Sequence, residues 1–167
     1  MKVNKESKLV LDKLWKMAKK RKGYIKLNNN KTYMPLTVEI LPDSQISLCH
    51  YGEQNGDLMR DPEMVFWKDQ NKDYFPIYFR NDYAGFEDFT AEIKENKLFC
   101  YNKERQSGQV EFANIWMKNI QYQQNIKVSN DGLFRMLITA FYKAVKPIME
   151  ATKWLKNYLN RKKKRPR

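Results

Sequence analysis

The sequence predicts an α+β fold: an antiparallel β-meander of about five strands with one helix packed on it, flanked by basic N- and C-terminal helices. Three observations predict it. Apolar residues alternate with period two in short runs between residues 36 and 101, they recur at three and four between 109 and 122, and the basic residues gather at the two ends. Residues 1–31 carry 11 Lys and Arg against Glu6 and Asp12, and residues 127–167 carry 12 against Asp131 and Glu150. Residues 32–126 carry 9 basic groups against 15 acidic ones, so the net +13 of the 167-residue chain is +9 and +10 at the ends around a middle of −6. Clustered like charge opposes compaction, which sets the parts as a basic N-terminal helix and linker (1–31), an α+β core (32–126) and an amphipathic basic C-terminal helix and tail (127–167).

From Ser7 to Lys22, Val10, Leu14, Met17 and Ala18 form one helical stripe with Leu11 and Trp15 beside it, while Lys13, Lys16, Lys19 and Lys20 point elsewhere. Gly23 can end this helix, and Asn28-Asn29-Asn30 reads as a loop. Leu36, Val38 and Ile40 alternate with polar residues as in a half-buried strand, Leu41-Pro42-Asp43-Ser44 reads as a turn, and a second strand runs from about Gln45 to Tyr51. Asn55-Gly56 is a strong hairpin signal, because both residues tolerate the positive φ of a type I′ turn. A third strand, about Leu58 to Lys68, contains Asp61-Pro62; proline donates nothing to a ladder, so an edge or a bulge is expected there. A turn at 70–73 leads into a strand over Tyr74 to Phe79, and Phe86 to Ile93 with Leu98 to Tyr101 form a further hairpin.

Phe112, Ala113, Trp116, Met117 and Ile120 then predict a helix over about Gln109 to Tyr122 that packs on the sheet. After Asn130-Asp131, a candidate N-cap, Phe134, Ile138, Phe141, Val145, Ile148, Leu155 and Leu159 follow a four-three spacing, with Pro147 kinking or dividing the helix. The stripe suits packing on the core or self-association. The same face, flanked by Lys143, Lys146, Lys153 and Lys156, also suits an anionic membrane surface over residues 131–160.

Composition excludes much chemistry. The segment has no run of about 18 uncharged apolar residues and no secretory h-region at its start, so a cytoplasmic location is expected. Cys49 and Cys100 are the only cysteines and His50 the only histidine, which argues against a disulfide framework, Cys-based zinc or a His-rich metal site. His50 shares a strand face with Ile46 and Leu48 and reads as a core residue, and both cysteines read as small buried hydrophobes. A glycine-rich phosphate loop and a Rossmann fingerprint are both missing, so no cofactor, metal or catalytic residue is assigned.

Two constellations remain. The carboxylates Glu53, Asp57, Asp61 and Glu63 lie close in sequence, and paired carboxylates serve acid-base work or a hard cation, which is the alternative of a metal-dependent nuclease-like enzyme. A hairpin tip also places Glu, Asn, Gly and Asp together for turn chemistry alone, and Glu92-Ile93-Lys94 matches a nuclease spacing only far downstream. The second constellation is basic. Lys19, Lys20, Arg21 and Lys22, with Arg161, Lys162, Lys163, Lys164, Arg165 and Arg167, suit a polyanion through counterion release, without a base-reading motif.

The run His50-Tyr51-Gly52-Glu53-Gln54-Asn55-Gly56-Asp57-Leu58-Met59-Arg60-Asp61-Pro62-Glu63-Met64, with Met34-Pro35-Leu36 before it and Phe112 to Ile120 after it, resembles an uncharacterised domain family of bacterial plasmids, conjugative elements and phages. The resemblance covers about residues 30–125, leaving both basic ends outside the family domain. Tyr51, Glu53, Asn55, Gly56, Asp57, Asp61, Pro62 and Glu63 match its motif, whereas Gly52 stands where a larger residue such as Tyr is expected. It implies context and no catalytic residue. The expectation is a non-enzymatic accessory protein of a mobile element whose basic ends contact nucleic acid or a nucleoprotein complex. Its core would serve as a protein-binding module, and inhibition of a host defence falls within this reading.

Overall fold

Helices cover one face of a single twisted sheet, and a small hairpin covers part of the other. The computed structural model describes residues 1–128, which form one compact unit. The expected C-terminal helix, its apolar stripe, the membrane-surface reading of 131–160 and the cluster Arg161, Lys162, Lys163, Lys164, Arg165 and Arg167 all lie outside the described residues.

The α+β class and the antiparallel sheet are as the periodicity predicts. The order is α1 (Lys5–Lys19), β1 (Tyr24–Leu27), β2 (Leu36–Leu41), β3 (Gln45–Gln54), β4 (Asp57–Lys68), β5 (Tyr74–Asn81), β6 (Phe86–Phe89), β7 (Ala91–Lys94), β8 (Lys97–Cys100) and α2 (Lys103–Gln123). Strands β1 to β6 pair in chain order as one antiparallel meander, and β7 and β8 form a separate two-stranded sheet. Eight strands therefore replace the expected five or so, for two physical reasons. The four-residue β1 exists only through its pairing with β2, Tyr24 opposite Glu39 and Leu27 opposite Leu36. The run 86–93 divides at buried Thr90, whose N–H donates to Ile77 O while its carbonyl accepts from Tyr101 N, so the chain leaves β5 and starts a second sheet.

Asn4 caps α1, its side chain accepting from Ser7 N. At the other end Lys22 and Gly23 take positive φ and Gly23 N donates to Ala18 O. Val10, Leu11, Leu14 and Ala18 of α1 and Ala113, Trp116, Met117 and Ile120 of α2 pack on Leu36, Val38, Ile46, Leu48, Met64, Phe66 and Tyr74 of the sheet. Segment 1–31, expected as a separate extension, thus supplies a helix and an edge strand to the common core, because the apolar stripe of α1 needs that sheet face to be buried. On the opposite face β7–β8 covers Val65, Trp67 and Ile77 through Ala91, Ile93 and Leu98.

α2 begins at Lys103, about two turns before the expected start, capped by Asn102. Its first turns are polar yet buried: Gln106 is 1% exposed and Gln109 7%. Gln106 donates to Pro76 O and Gln109 to Asp88 O, so these amides join the interior with a partner in hand. Among the described residues no helix is long and apolar enough to cross a membrane.

Candidate functional site

The hairpin motif occupies β3, its turn and the start of β4. Asn55 and Gly56 hold φ of 54° and 88°, the positive values a type I′ turn requires. At the base, Cys49 faces Glu63 and Tyr51 faces Arg60, so Asp61-Pro62 forms the expected bulge opposite His50, with a cis peptide bond. β4 is nonetheless an interior strand, and its proline is tolerated at the bulge.

Cross-strand pairing lines up one file over the whole sheet on the face away from the helices: Lys26, Thr37, Cys49, Glu63, Arg80 and Glu87. Its charged end is closely paired. Ser47 Oγ donates to Glu63 Oε1 at 2.8 Å, and Arg60 Nε lies 2.8 Å from Glu63 Oε2, in ionic contact but off a hydrogen-bond axis. Arg60 N donates to Asp82 Oδ2 at 2.8 Å and Arg80 Nε to Asp82 Oδ1 at 2.5 Å, while Arg80 Nη1 stands 3.6 Å from Glu87. These contacts, the backbone bond from Arg60 first, hold the Asp82 carboxyl below its ordinary range. Asp61 accepts from Asn81 Nδ2 at 2.8 Å.

The four carboxylates singled out in the sequence are thus not brought together. Glu53 and Asp57 sit at the exposed tip, while Glu63 and Asp61 are engaged at the base. Glu92 and Lys94 pair with each other on β7, in the other sheet. Among the described residues no three His, Cys, Asp or Glu side chains converge as cation ligands would.

The thiol and the imidazole carry no sign of activation. Burial pushes the Cys49 thiol up to about 12, so it is protonated at neutral pH. His50 is buried against Trp116, ring centroids 5.7 Å apart, and its Nδ1 donates to Pro35 O at 3.0 Å. Desolvation lowers its pKa and keeps the ring neutral. The core role expected for His50 is what the packing shows. At Gly52, a Cβ would overlap the Tyr83 hydroxyl, which donates to Glu53 O, and fall about 3.1 Å from two carbons of its ring. The ring of Tyr83 occupies the space that a larger residue at 52 would need.

The basic constellation lies elsewhere. Lys13, Lys16, Lys19, Lys20, Arg21 and Lys22 are all exposed, and Lys13, Lys16, Lys19 and Lys20 line a shallow depression floored by Met17. Among the described residues no carboxylate lies within ion-pair distance of any of these six. Lys8, in the first half of α1, and the cations near it are different, while Lys5 is exposed with no carboxylate within ion-pair distance among the described residues. Lys2 pairs with Asp73 at 2.8 Å, Lys8 with Asp12 at 3.6 Å, and Lys68 with Asp12 at 3.3 Å, while Lys68 also stands over the Trp15 ring at 4.7 Å. The sequence pattern singles out Lys19 to Lys22, and these four are exposed. It did not locate Arg60, Arg80 and Asp82, whose only local signal is the alternation Arg80-Asn81-Asp82.

The chain belongs to the family described as Domain of unknown function (DUF6908), which matches residues 8–126. The match begins inside α1, so Lys13 to Lys22 fall within the family domain, contrary to the expectation that both basic ends lie outside it; α1 is part of the domain's core. Neither a curated protein nor a solved structure matches the chain.

Proposed function

We propose that this chain is a non-enzymatic accessory protein that contacts nucleic acid or a nucleoprotein complex through its basic ends, with the acidic core as a protein-binding module. One observation carries the reading. Among the described residues, six exposed cations along the last turns of α1 and the following turn have no carboxylate partner, whereas Arg60, Arg80 and Arg105 are each held by one. An unpaired cation meets a phosphate without first giving up a partner, and each phosphate neutralised releases counterions. The cluster also stands at the carbonyl end of α1, where cations are favoured and remain in place. The run Arg161 to Arg167 adds six more cations in seven residues. A mobile-element setting and inhibition of a host defence belong to this reading through the hairpin motif.

Fluorescence anisotropy of labelled duplex and single-stranded DNA with the full chain, over about 50 to 300 mM salt, tests it. Binding with a steep salt slope is expected, lost when Lys19, Lys20, Arg21 and Lys22 and the Arg161–Arg167 cations are neutralised together. No binding at 50 mM salt would overturn the reading, and sedimentation with anionic liposomes would then decide for a membrane surface.

A further inference from the structure

The C-terminal end of α2 and the loop between β1 and β2 hold a pair of tyrosines at the surface. Gln124 is fully buried, and it fixes the loop to the helix: its Nε2 donates to Met34 O at 3.0 Å, its Oε1 accepts from Asn29 N at 3.3 Å, and its carbonyl accepts from Asn29 Nδ2 at 2.8 Å. Asn125 takes a φ of 51°, so Asn125 N donates to Tyr122 O and Ile126 N to Gln121 O, a helix ending that turns Ile126 into the core. With both segments fixed, Tyr33 and Tyr122 meet edge to face, ring centroids 6.1 Å apart, and Tyr122 remains 73% exposed.

The surroundings of this pair are cationic. Tyr122 shares a shallow cleft with Lys118, Gln121, Asn125, Ile126 and Lys127, whose two charged members are both positive, and Lys31, two residues before Tyr33, is exposed as well. Among the described residues the only carboxylate within ion-pair distance of these three lysines is Glu6, 3.7 Å from Lys118, and with side chains 74% and 65% exposed that pair is solvated and weak. Three positive charges thus stand against one negative. The side-chain amides of Gln121, half-buried, and Asn125, exposed, line the same cleft, each with a donor and an acceptor.

We propose that this surface binds single-stranded nucleic acid, with a base stacked on Tyr122, Tyr33 bracing the ring, and the flanking phosphates on Lys31, Lys118 and Lys127. The proposal rests on the nucleic-acid reading above and names the form of the ligand. Every base has a π face, so an exposed aromatic ring beside cations takes a single strand without reading its sequence. Lys118 lies one helical turn before Tyr122 on the same face, which puts the ammonium within one nucleotide's reach of the ring. The amides of Gln121 and Asn125 stand where the polar edge of a stacked base needs donors and acceptors. Duplex DNA offers the same phosphates but keeps its bases stacked on one another, out of reach of a tyrosine. An apolar partner would leave the lysines and amides of the cleft unmatched.

The test is fluorescence anisotropy of the full chain at about 50 mM salt with labelled oligothymidylate, an abasic strand of equal length and a duplex of equal length. Oligothymidylate should bind at least about fivefold more tightly than the abasic strand, which carries the same phosphates. Tyr122→Ala should weaken oligothymidylate at least about fivefold while leaving the duplex within about twofold and the salt slope unchanged, since no cation is lost; Tyr122→Phe keeps the ring and should restore binding to within about twofold. Replacing Lys31 and Lys127 by Gln should lower the single-strand salt slope by about 1.4, the value for two phosphates. All these side chains are exposed, so the variants keep the fold, as circular dichroism would verify. Equal binding of the thymidylate and abasic strands, or a strand affinity unmoved by Tyr122→Ala, would overturn this proposal and leave the α1 cluster standing. Strand binding lost in Tyr122→Ala but kept when Lys19 to Lys22 are neutralised would support it and remove that cluster from the single-strand contact. No binding of any oligomer would overturn both.

Discussion

Lys8 and the lysines of the second half of α1 are the same residue in two different states. In the first half, Lys8 shares Asp12 and Asp73 with Lys2 and Lys68, and Tyr74 donates its hydroxyl to Asp12 at 3.0 Å, so the charges tie the helix to the β4–β5 turn. In the second half, Lys13, Lys16, Lys19 and Lys20 extend from the same helix toward no carboxylate of the described residues. The difference teaches where charge serves the fold and where it is left for a partner. A paired cation is already neutralised, and a polyanion gains little from it. The arginines of the sheet behave like Lys8: Arg60 and Arg80 clamp Asp82 between two strands and are occupied in doing so.

Substitutions can sharpen this contrast. The largest stability effect is expected at Asp12, which accepts from Tyr74 and pairs with two lysines: Asp12→Ala should lower the unfolding free energy by about 2 kcal/mol in urea titrations, with DNA affinity equal or higher because Lys68 loses its carboxylate. A pH scan separates the regions next. Neutral His50 is favoured by folding because its pKa lies below the ordinary 6.5, so the unfolded chain takes up the extra proton. Its contribution is complete above about pH 6.5 and is lost as pH falls below that value, so the melting temperature should decline there and His50→Gln should flatten the decline. His50 lies in the core, away from the basic cluster, so DNA binding should not follow this decline. Smaller still is the change expected for replacing Lys19, Lys20, Arg21 and Lys22 by Gln, within about 0.5 kcal/mol of the original stability, because no folded partner is lost. Gly52→Ala should have an effect of similar or smaller size, read as a shift of the Tyr83 resonances, since the exposed ring can swing aside.

How much of this was legible in the sequence follows from how local each feature is. The stripe of α1, the alternation of β2 and β3 and the Asn55-Gly56 turn are set by neighbours within a few residues, and they stand where the pattern predicts. β1 and the first two turns of α2 depend on distant partners. Gln106 and Gln109 read as solvent residues until Pro76 and Asp88, some 20 to 30 residues away, supply their hydrogen bonds. The candidate site divides in the same way. Exposed charge such as Lys19 to Lys22 is visible in the chain itself, whereas the Arg60–Asp82 contact and the Tyr33–Tyr122 pair join segments that only the fold brings together.

The central claim is that unpaired cations, not cations in general, make the contact with nucleic acid. The direct measurement is the slope of log affinity against log salt for duplex DNA, in the full chain and in two variants of comparable charge loss. One replaces Lys19, Lys20, Arg21 and Lys22 by Gln, and the other replaces Lys2, Lys8 and Lys68 by Gln. The first should reduce the slope by about 3 to 4, the value for as many phosphate contacts, and the second should leave it unchanged while lowering stability. Equal reductions in the two variants, or a slope unaltered by the first, would contradict the account.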